Sequence, residues 1–352
     1  MHIVIIGNGI TGITTARHLR KLSDHQITVI SSESEHFFSR TALMYVYMGH
    51  MKYEHIKPYE DWFWKKNRID LVYDHVDLVN FKTKDCLLKS GKKIHYDKLV
   101  IATGSRPNTV DIDFSKYKGV QGLYSLQDLK LIEENSKGIQ RAVIIGGGLI
   151  GIELAEMLHT RNIPVTFLVK DKGYWSNVLP PEESKLITQH ILNHCIDLRF
   201  ETQFTRINQD ETGRVSSVIT DKGEEIPCQF AGITTGVSPA VDFIRGSEIE
   251  CARGVLVNEF FETSVADVYA AGDCAEFRSP KEGQVRIEQL WYTGRMQGRV
   301  LAANLCGQRE AYDRGIWFNS AKFFDIEYQT YGFVPSTFPD ELHSFYWQHS
   351  DG

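Results

Sequence analysis

Nothing in the spacing of this 352-residue chain pairs its cysteines. Cys86, Cys195, Cys228, Cys251, Cys274 and Cys306 are scattered, with no C-x-x-C and no C-x-x-x-x-C. That excludes a disulfide framework and a zinc ribbon and fits reduced thiols in a cytosolic protein, so no metal site is expected. Charge of one sign is also lacking: 39 lysines and arginines stand against 45 acids, a formal net charge of -6, and no basic block interrupts the chain. Without a basic patch there is no electrostatic footprint for nucleic acid or for an acidic membrane surface. Long apolar runs are missing as well. The N-terminal run starts at His2 with no basic leader and meets glycine at Gly7, which is too short for a signal peptide or a membrane span. The expectation is a cytoplasmic protein of two or more domains.

What the chain does have is one unit, written twice. Ile3-Val4-Ile5-Ile6 is a wholly apolar, β-branched run that suits a central parallel strand. Gly7, Gly9 and Gly12 follow at G-x-G-x-x-G spacing, with Ile10 and Thr11 opening a helix. The first glycine permits the tight turn, the second lets a pyrophosphate approach the backbone, and the third lets the helix pack on the strand. The helix N-terminus then offers free N–H groups to a diphosphate. A second strand, Ile27 to Ile30, completes the βαβ unit. The same pattern returns at Ala142-Val143-Ile144-Ile145-Gly146-Gly147-Gly148-Leu149-Ile150-Gly151, followed by a helix carrying Glu153 and a strand from Val165 to Val169. Two such units mean two dinucleotides.

At the end of the first unit's second strand, where an acid would hold a ribose hydroxyl, stand Ser31, Ser32 and a displaced Glu33. Ser31 offers a neutral hydrogen bond, weaker than the roughly 1.5–3 kcal/mol of one involving a charge, and Glu33 is placed to reach back. Arg40 lies beside Phe37 and Phe38 in a loop entering a helix, and residues 53 to 68, with Trp62, Phe63 and Trp64, read as an amphipathic helix whose aromatics are core or domain-contact residues. Asp70 to Lys98 alternates around a Ser90-Gly91 turn, the signature of inserted antiparallel strands. The buried strand Lys98-Leu99-Val100-Ile101 runs into Ala102-Thr103-Gly104, small residues that permit close approach to a ligand. In the second unit the strand ends Lys170-Asp171. Lys170 would attract a 2′-phosphate and Asp171 would bind a 2′-hydroxyl, so the coenzyme stays undecided. Gly236 ends another strand near the second nucleotide. Val268 to Ala271 delivers Gly272 and Asp273 to a strand end, where the acid would accept hydrogen bonds from polyol hydroxyls and a helix starting nearby would face a phosphate. Residues 289 to 304 read as a helix whose small residues allow tight packing, with Trp291 near its start.

Taken together, these motifs, with Tyr96-Asp97 before Ala102-Thr103-Gly104 and Thr263-Ser264 before Ala271-Gly272-Asp273, resemble the FAD-dependent pyridine-nucleotide-disulfide oxidoreductase superfamily over nearly the whole chain. The resemblance implies an α/β fold: two Rossmann-like dinucleotide-binding domains, three-layered and glutathione-reductase-like, plus a short C-terminal α+β interface segment. It divides the chain into an FAD-binding domain of 1–112 and 248–312, an NAD(P)H-binding domain of 113–247, and a short or truncated interface domain of 313–352 whose usual role is dimerisation. It implies that Gly7 to Gly12, Arg40, Val76, Ala102 to Gly104 and Asp273 bind FAD, with Asp273 on the ribityl chain. Gly146 to Glu153 and Gly236 are implied for NAD(P)H.

Lacking both a redox cysteine pair and a cysteine near Arg40, the chain is similar to the branch of nitrite reductase large subunits and rubredoxin and ferredoxin reductases. In the ferredoxin reductases of this type a lysine pairs with the equivalent of Glu153; here Met44-Tyr45 stand in its place. The reading that follows is an FAD-dependent NAD(P)H oxidoreductase that passes a hydride to FAD and electrons to a separate acceptor, a rubredoxin- or ferredoxin-like protein or a small molecule. Glu153 would orient the nicotinamide, and Trp291 would wall the flavin ring or pack between helices. Two other readings are a peripheral NADH:quinone oxidoreductase and an NAD(P)H-sensing flavoprotein of low turnover that acts in binding or assembly.

Overall fold

The computed structural model describes residues 1–108, 113–281 and 283–349. The chain forms two compact units, one of 1–43, 51–106 and 237–315, the other of 44–50, 107–236 and 316–352. The domain division expected at 112 lies outside the described residues. The return to the first unit comes at 237 rather than 248, because Ala240 donates to the Gly104 carbonyl at 2.9 Å and Val241 and Ile244 join that unit's core.

The first unit holds a five-stranded parallel sheet in the spatial order Val268–Ala270, Lys98–Ile101, His2–Ile6, Gln26–Ser31, Ile69–Tyr73. Ile3, Val4 and Ile5 are fully buried at its centre. Side chains of this kind each contribute about 1.5–3 kcal/mol by leaving water. Tyr96-Asp97 explains itself here: Tyr96 is a core residue, while Asp97 accepts the backbone N–H of His2 and donates its own to the His2 carbonyl. The expected antiparallel insertion is shorter than the alternation suggested. Ile69–Tyr73 pairs in parallel with Gln26–Ser31, and only Val76–Asn80, Asp85–Leu88 and Lys93–His95 form the antiparallel sheet. As an edge strand, Ile69–Tyr73 has an exposed face, and so reads like an antiparallel strand. The single helix expected over 53–68 is also two pieces, Tyr53–Ile56 and Asp61–Lys66. Pro58 sits between them, lacking an N–H and disfavouring the helical conformation of its predecessor. Trp64 is core, but Trp62 is exposed.

The second unit repeats the plan with the order Asp197–Arg199, Val165–Leu168, Ala142–Ile145, Phe230–Ile233, Val120–Gln121, all parallel. Ser125 caps the helix Leu126–Asn135, accepting from the Asp128 N–H while the Asp128 carboxylate accepts from Ser125. The strands Phe204–Gln209 and Val215–Thr220 form a hairpin around a turn at Gly213. Residues 44–50 belong here because Tyr47 donates to the Ser136 hydroxyl at 2.8 Å and the Arg161 guanidinium carbon lies over the Tyr47 ring, 3.5 Å from its centroid. The segment expected as an interface piece contributes the hairpin Phe318–Phe323 and Ile326–Tyr331. Lys322 in that hairpin ion-pairs with the buried Glu156 at 2.7 Å. No helix among the described residues is long and apolar enough to cross a membrane.

Candidate functional site

Each unit carries its glycine turn in the same geometry. Gly7 and Gly146 sit at φ of 112° and 113°, a conformation that only glycine adopts without strain. A methyl on Gly7 would meet the Ala102 carbonyl oxygen at 2.1 Å, and one on Gly146 the Thr234 oxygen at 2.4 Å. The third glycines are equally tight, at 2.0 Å from the Gly7 oxygen for Gly12 and 2.4 Å from the Gly146 oxygen for Gly151. The middle glycines are the opposite. A methyl on Gly9 or Gly148 would have nothing within 4 Å, although each caps a helix, Ile10–Leu22 and Leu149–His159. Two helix N-termini therefore open onto space beside bare backbone, which is the cradle a dinucleotide pyrophosphate requires.

Around the first turn, Gly272 (φ 79°) presses on the Thr11 hydroxyl, and its N–H donates to Gln297 Oε1 at 2.7 Å. This fixes Asp273, whose Oδ2 accepts from Ser105 at 2.9 Å; Gln289 in turn donates to the Ser105 hydroxyl. Burial raises the Asp273 carboxyl, against the Ser105 bond and the Arg40 charge, which lower it. Ala102, Thr103 and Gly104 are pinned by the Thr103 hydroxyl on the Ala240 carbonyl at 2.7 Å. Arg40 makes a two-point contact with Glu33, Nη1 to Oε1 at 2.8 Å and Nη2 to Oε2 at 2.5 Å. The displaced acid of the first unit is thus oriented by an arginine, while Ser31 accepts the Glu33 N–H at 3.3 Å and Ser32 lies 3.5 Å from the His75 ring. Val76 begins the antiparallel sheet, buried and paired with Leu88.

After Asp273 the chain forms the strand Ala275–Phe277, and the expected helix follows at Trp291–Leu305, with Gln289 just before it joined to Asp273 through Ser105. Gly294 and Gly298, one turn apart, let it lie against Thr11 and Thr14 of the first glycine helix, where a methyl would meet Thr11 atoms at 2.7 and 2.6 Å. Trp291 is the first residue of this helix, partly exposed, edge-on to Tyr292 and beside Arg295.

In the second unit, Leu149 and Ile150 open the helix that carries Glu153. Among the described residues, Glu153 makes no hydrogen bond or ion pair, and burial, with Glu156 adding its charge, pushes its carboxyl up to about 7. Glu153 is thus a desolvated carboxylate one turn into the helix that follows the second glycine turn. Tyr174, which sequence reasoning missed, is fully buried beside it and donates to the Gly148 carbonyl at 3.2 Å. Gly236 (φ 93°) is held by Asn108, whose N–H donates to the Gly236 carbonyl at 3.0 Å. Lys170 is exposed in the loop after Val165–Leu168. Also missed were Gln289, Gln297 and Asn108; each acts across more than 20 residues of chain, and no local spacing announces it.

All six cysteines are free. Burial pushes the Cys86 and Cys228 thiols up to about 12 and raises that of Cys274, next to Asp273, whose sulfur donates to the Ile101 and Ala271 carbonyls. A thiol held in that state is neither a nucleophile nor a redox partner.

Residues 1–298 match the profile of the pyridine nucleotide-disulphide oxidoreductase family. This chain belongs to that family. It is 31% identical over 315 residues to the NADH-rubredoxin oxidoreductase of Clostridium acetobutylicum, covering 88% of this chain and 76% of that one. The ferredoxin–NAD(+) reductase component of the biphenyl dioxygenase system of Paraburkholderia xenovorans is 28% identical over 87% of this chain and 75% of its own length. Among solved structures, the ferredoxin reductase for the CYP199A2 system of Rhodopseudomonas palustris superposes with a TM-score of 0.88 at 25% identity, over 94% of this chain and 82% of that one. The protein is an FAD-dependent oxidoreductase that takes its electrons from NAD(P)H, and the two open glycine cradles fit those two dinucleotides.

Proposed function

We propose that this oxidoreductase uses NADH and delivers electrons to a small cysteine-ligated iron protein of the rubredoxin class. The carrying observation is the state of the thiols: six unpaired cysteines, with the one beside Asp273 buried and protonated, leave no relay of the chain's own. A separate acceptor must then take the electrons directly. Bound FAD would supply the chemistry that joins the two partners, a two-electron hydride uptake from the coenzyme and one-electron release to each of two acceptor molecules.

The chain's residues supply position and electrostatics. The Gly7–Gly12 turn, Ser31 to Glu33, Arg40, Val76, Ala102 to Gly104 and Gly272-Asp273 hold FAD, with Asp273 accepting from hydroxyls of its polyol chain. The Gly146–Glu153 turn, Lys170 and Gly236 hold the coenzyme. Glu153 accepts a hydrogen bond from the nicotinamide carboxamide, and Trp291 excludes water at the ring. NADH is preferred because a single lysine is balanced by the adjacent Asp171, and because the relatives above carry NADH or NAD(+) in their names. Rubredoxin is preferred over ferredoxin because Met44-Tyr45 replace the lysine of the ferredoxin reductases and the relative at 31% identity is a rubredoxin enzyme.

The test is anaerobic mixing of the yellow protein with NADH or NADPH, then with oxidised rubredoxin, ferredoxin or a quinone. Rapid bleaching by NADH followed by rapid rubredoxin reduction is expected. Fast quinone reduction with inert iron proteins would overturn the reading.

A further inference from the structure

The helix Pro181–Asn193 and its C-cap carry His190 and His194 one turn apart, so both rings project from the same face, with centroids 4.6 Å apart. The turn between strands Phe318–Phe323 and Ile326–Tyr331 brings Asp325 against them. Its Oδ1 lies 2.7 Å from His190 Nε2 and 3.3 Å from His194 Nε2, and the three donor atoms all lie within 4.8 Å of one another. We infer that His190, His194 and Asp325 form a binding site for a divalent transition-metal ion of the zinc class.

Two features of the hydrogen bonding favour an ion over a simple contact. His194 Nδ1 lies 3.0 Å from the His190 carbonyl, which can only accept, so Nδ1 carries the proton. That leaves Nε2, the ring's other nitrogen, facing the Asp325 carboxylate oxygen at 3.3 Å. A ring N–H given to a backbone carbonyl is also the usual outer support of a metal-bound histidine. The second feature is His190 Nε2, which is buried and makes no hydrogen bond even though Asp325 Oδ1 is 2.7 Å away.

The spacing suits zinc. Bonds of about 2.0–2.1 Å at tetrahedral angles place ligand atoms ~3.3 Å apart, the His194–Asp325 separation as it stands. Asp325 is 76% exposed and free to open the shorter distance, and its exposure leaves the remaining position to water. The turn itself is held for this arrangement: Phe324, at φ 56°, stacks on the His194 ring at 4.3 Å. Bound metal would lock the hairpin to the helix.

The test is equilibrium dialysis of the untagged, FAD-loaded protein against Zn²⁺ near neutral pH, with the metal counted by atomic emission. One zinc per chain is expected, weakened about ten-fold or more in Asp325→Asn and in His194→Gln, with the flavin spectrum unchanged. Cys195→Ser, next in sequence but outside the cluster, should bind as wild type. Absence of stoichiometric zinc, undiminished binding by Asp325→Asn, or loss of binding in Cys195→Ser would each overturn the assignment. Asp325 is exposed, so its substitution does not endanger the fold.

Discussion

Alanine at Gly9 and alanine at Gly12 should have opposite consequences although they lie in one turn. At Gly12 the new methyl would stand 2.0 Å from the Gly7 oxygen and 3.2 Å from Ile5 Cγ2, whereas carbon and oxygen settle at about 3.3–3.6 Å. The obstacle is a main-chain carbonyl at the end of the central strand, so no rotamer change relieves it and the helix must lift by more than ~1 Å. Overpacking of a core ordinarily costs ~1–3 kcal/mol; a backbone clash belongs at or above the top of that range, a large share of the ~5–15 kcal/mol that holds a protein folded. At Gly9 the backbone is extended, φ −68° and ψ −177°, and nothing lies within 4 Å of the added carbon. Stability should change by no more than ~0.5 kcal/mol. The methyl nevertheless occupies the approach that the pyrophosphate needs, and FAD affinity should fall at least ten-fold, or about 1.4 kcal/mol. Urea unfolding of the flavin-free protein, followed by circular dichroism, reads the first quantity, and flavin fluorescence titration reads the second. If Gly9→Ala bound FAD as wild type does, or Gly12→Ala unfolded at the wild-type midpoint, the cradle argument would fail.

Three further outcomes are expected. Glu153 has its folded pKa raised from 4.5 to about 7, so the folded state holds the extra proton and its stability falls as pH rises through that window. At about 1.4 kcal/mol per pH unit the ceiling is ~3 kcal/mol, which solvent contact lowers to ~1–2 kcal/mol. Plotted against pH, the stabilities of wild type and Glu153→Gln should run together below pH 4.5, separate between 4.5 and 7 with the glutamine variant more stable, and keep a constant gap above 7; a gap that does not change with pH would sink the assignment. Arg314 donates to Glu288 at 3.1 Å with both side chains buried, and Tyr312 and Gln297 donate to the same carboxylate. Arg314→Met should therefore cost ~3–5 kcal/mol by stranding a buried charge, read as a lowered urea midpoint, while a wild-type midpoint would show that the network is dispensable. Cys274→Ala should leave NADH-driven acceptor reduction unchanged; its loss would restore a thiol relay.

Much of the fold lay open in the residues. A buried β-branched strand, glycines at fixed offsets and a helix after them are local facts, and a φ near 112° at Gly7 and Gly146 follows from the same spacing that reveals them. Alternation, however, reports which faces of a strand are covered and not which neighbour it pairs with. That is why Ile69–Tyr73 was read with the antiparallel insertion. Pro58 carried its own warning of a break in the helix, overridden by the aromatic pattern around it. The supports of the site are of another kind. Ser105 on Asp273, Gln297 on Gly272 and Tyr174 beside Glu153 each join segments distant in sequence, and so does the meeting of His190 and His194 with Asp325. The residues by themselves determined the two nucleotide cradles, because backbone conformation is chosen within a few positions. Only the packed structure decided which buried carboxyls are paired, which thiols are inert and which histidines share an acid, because charge and proton affinity depend on neighbours that close packing brings together across the chain.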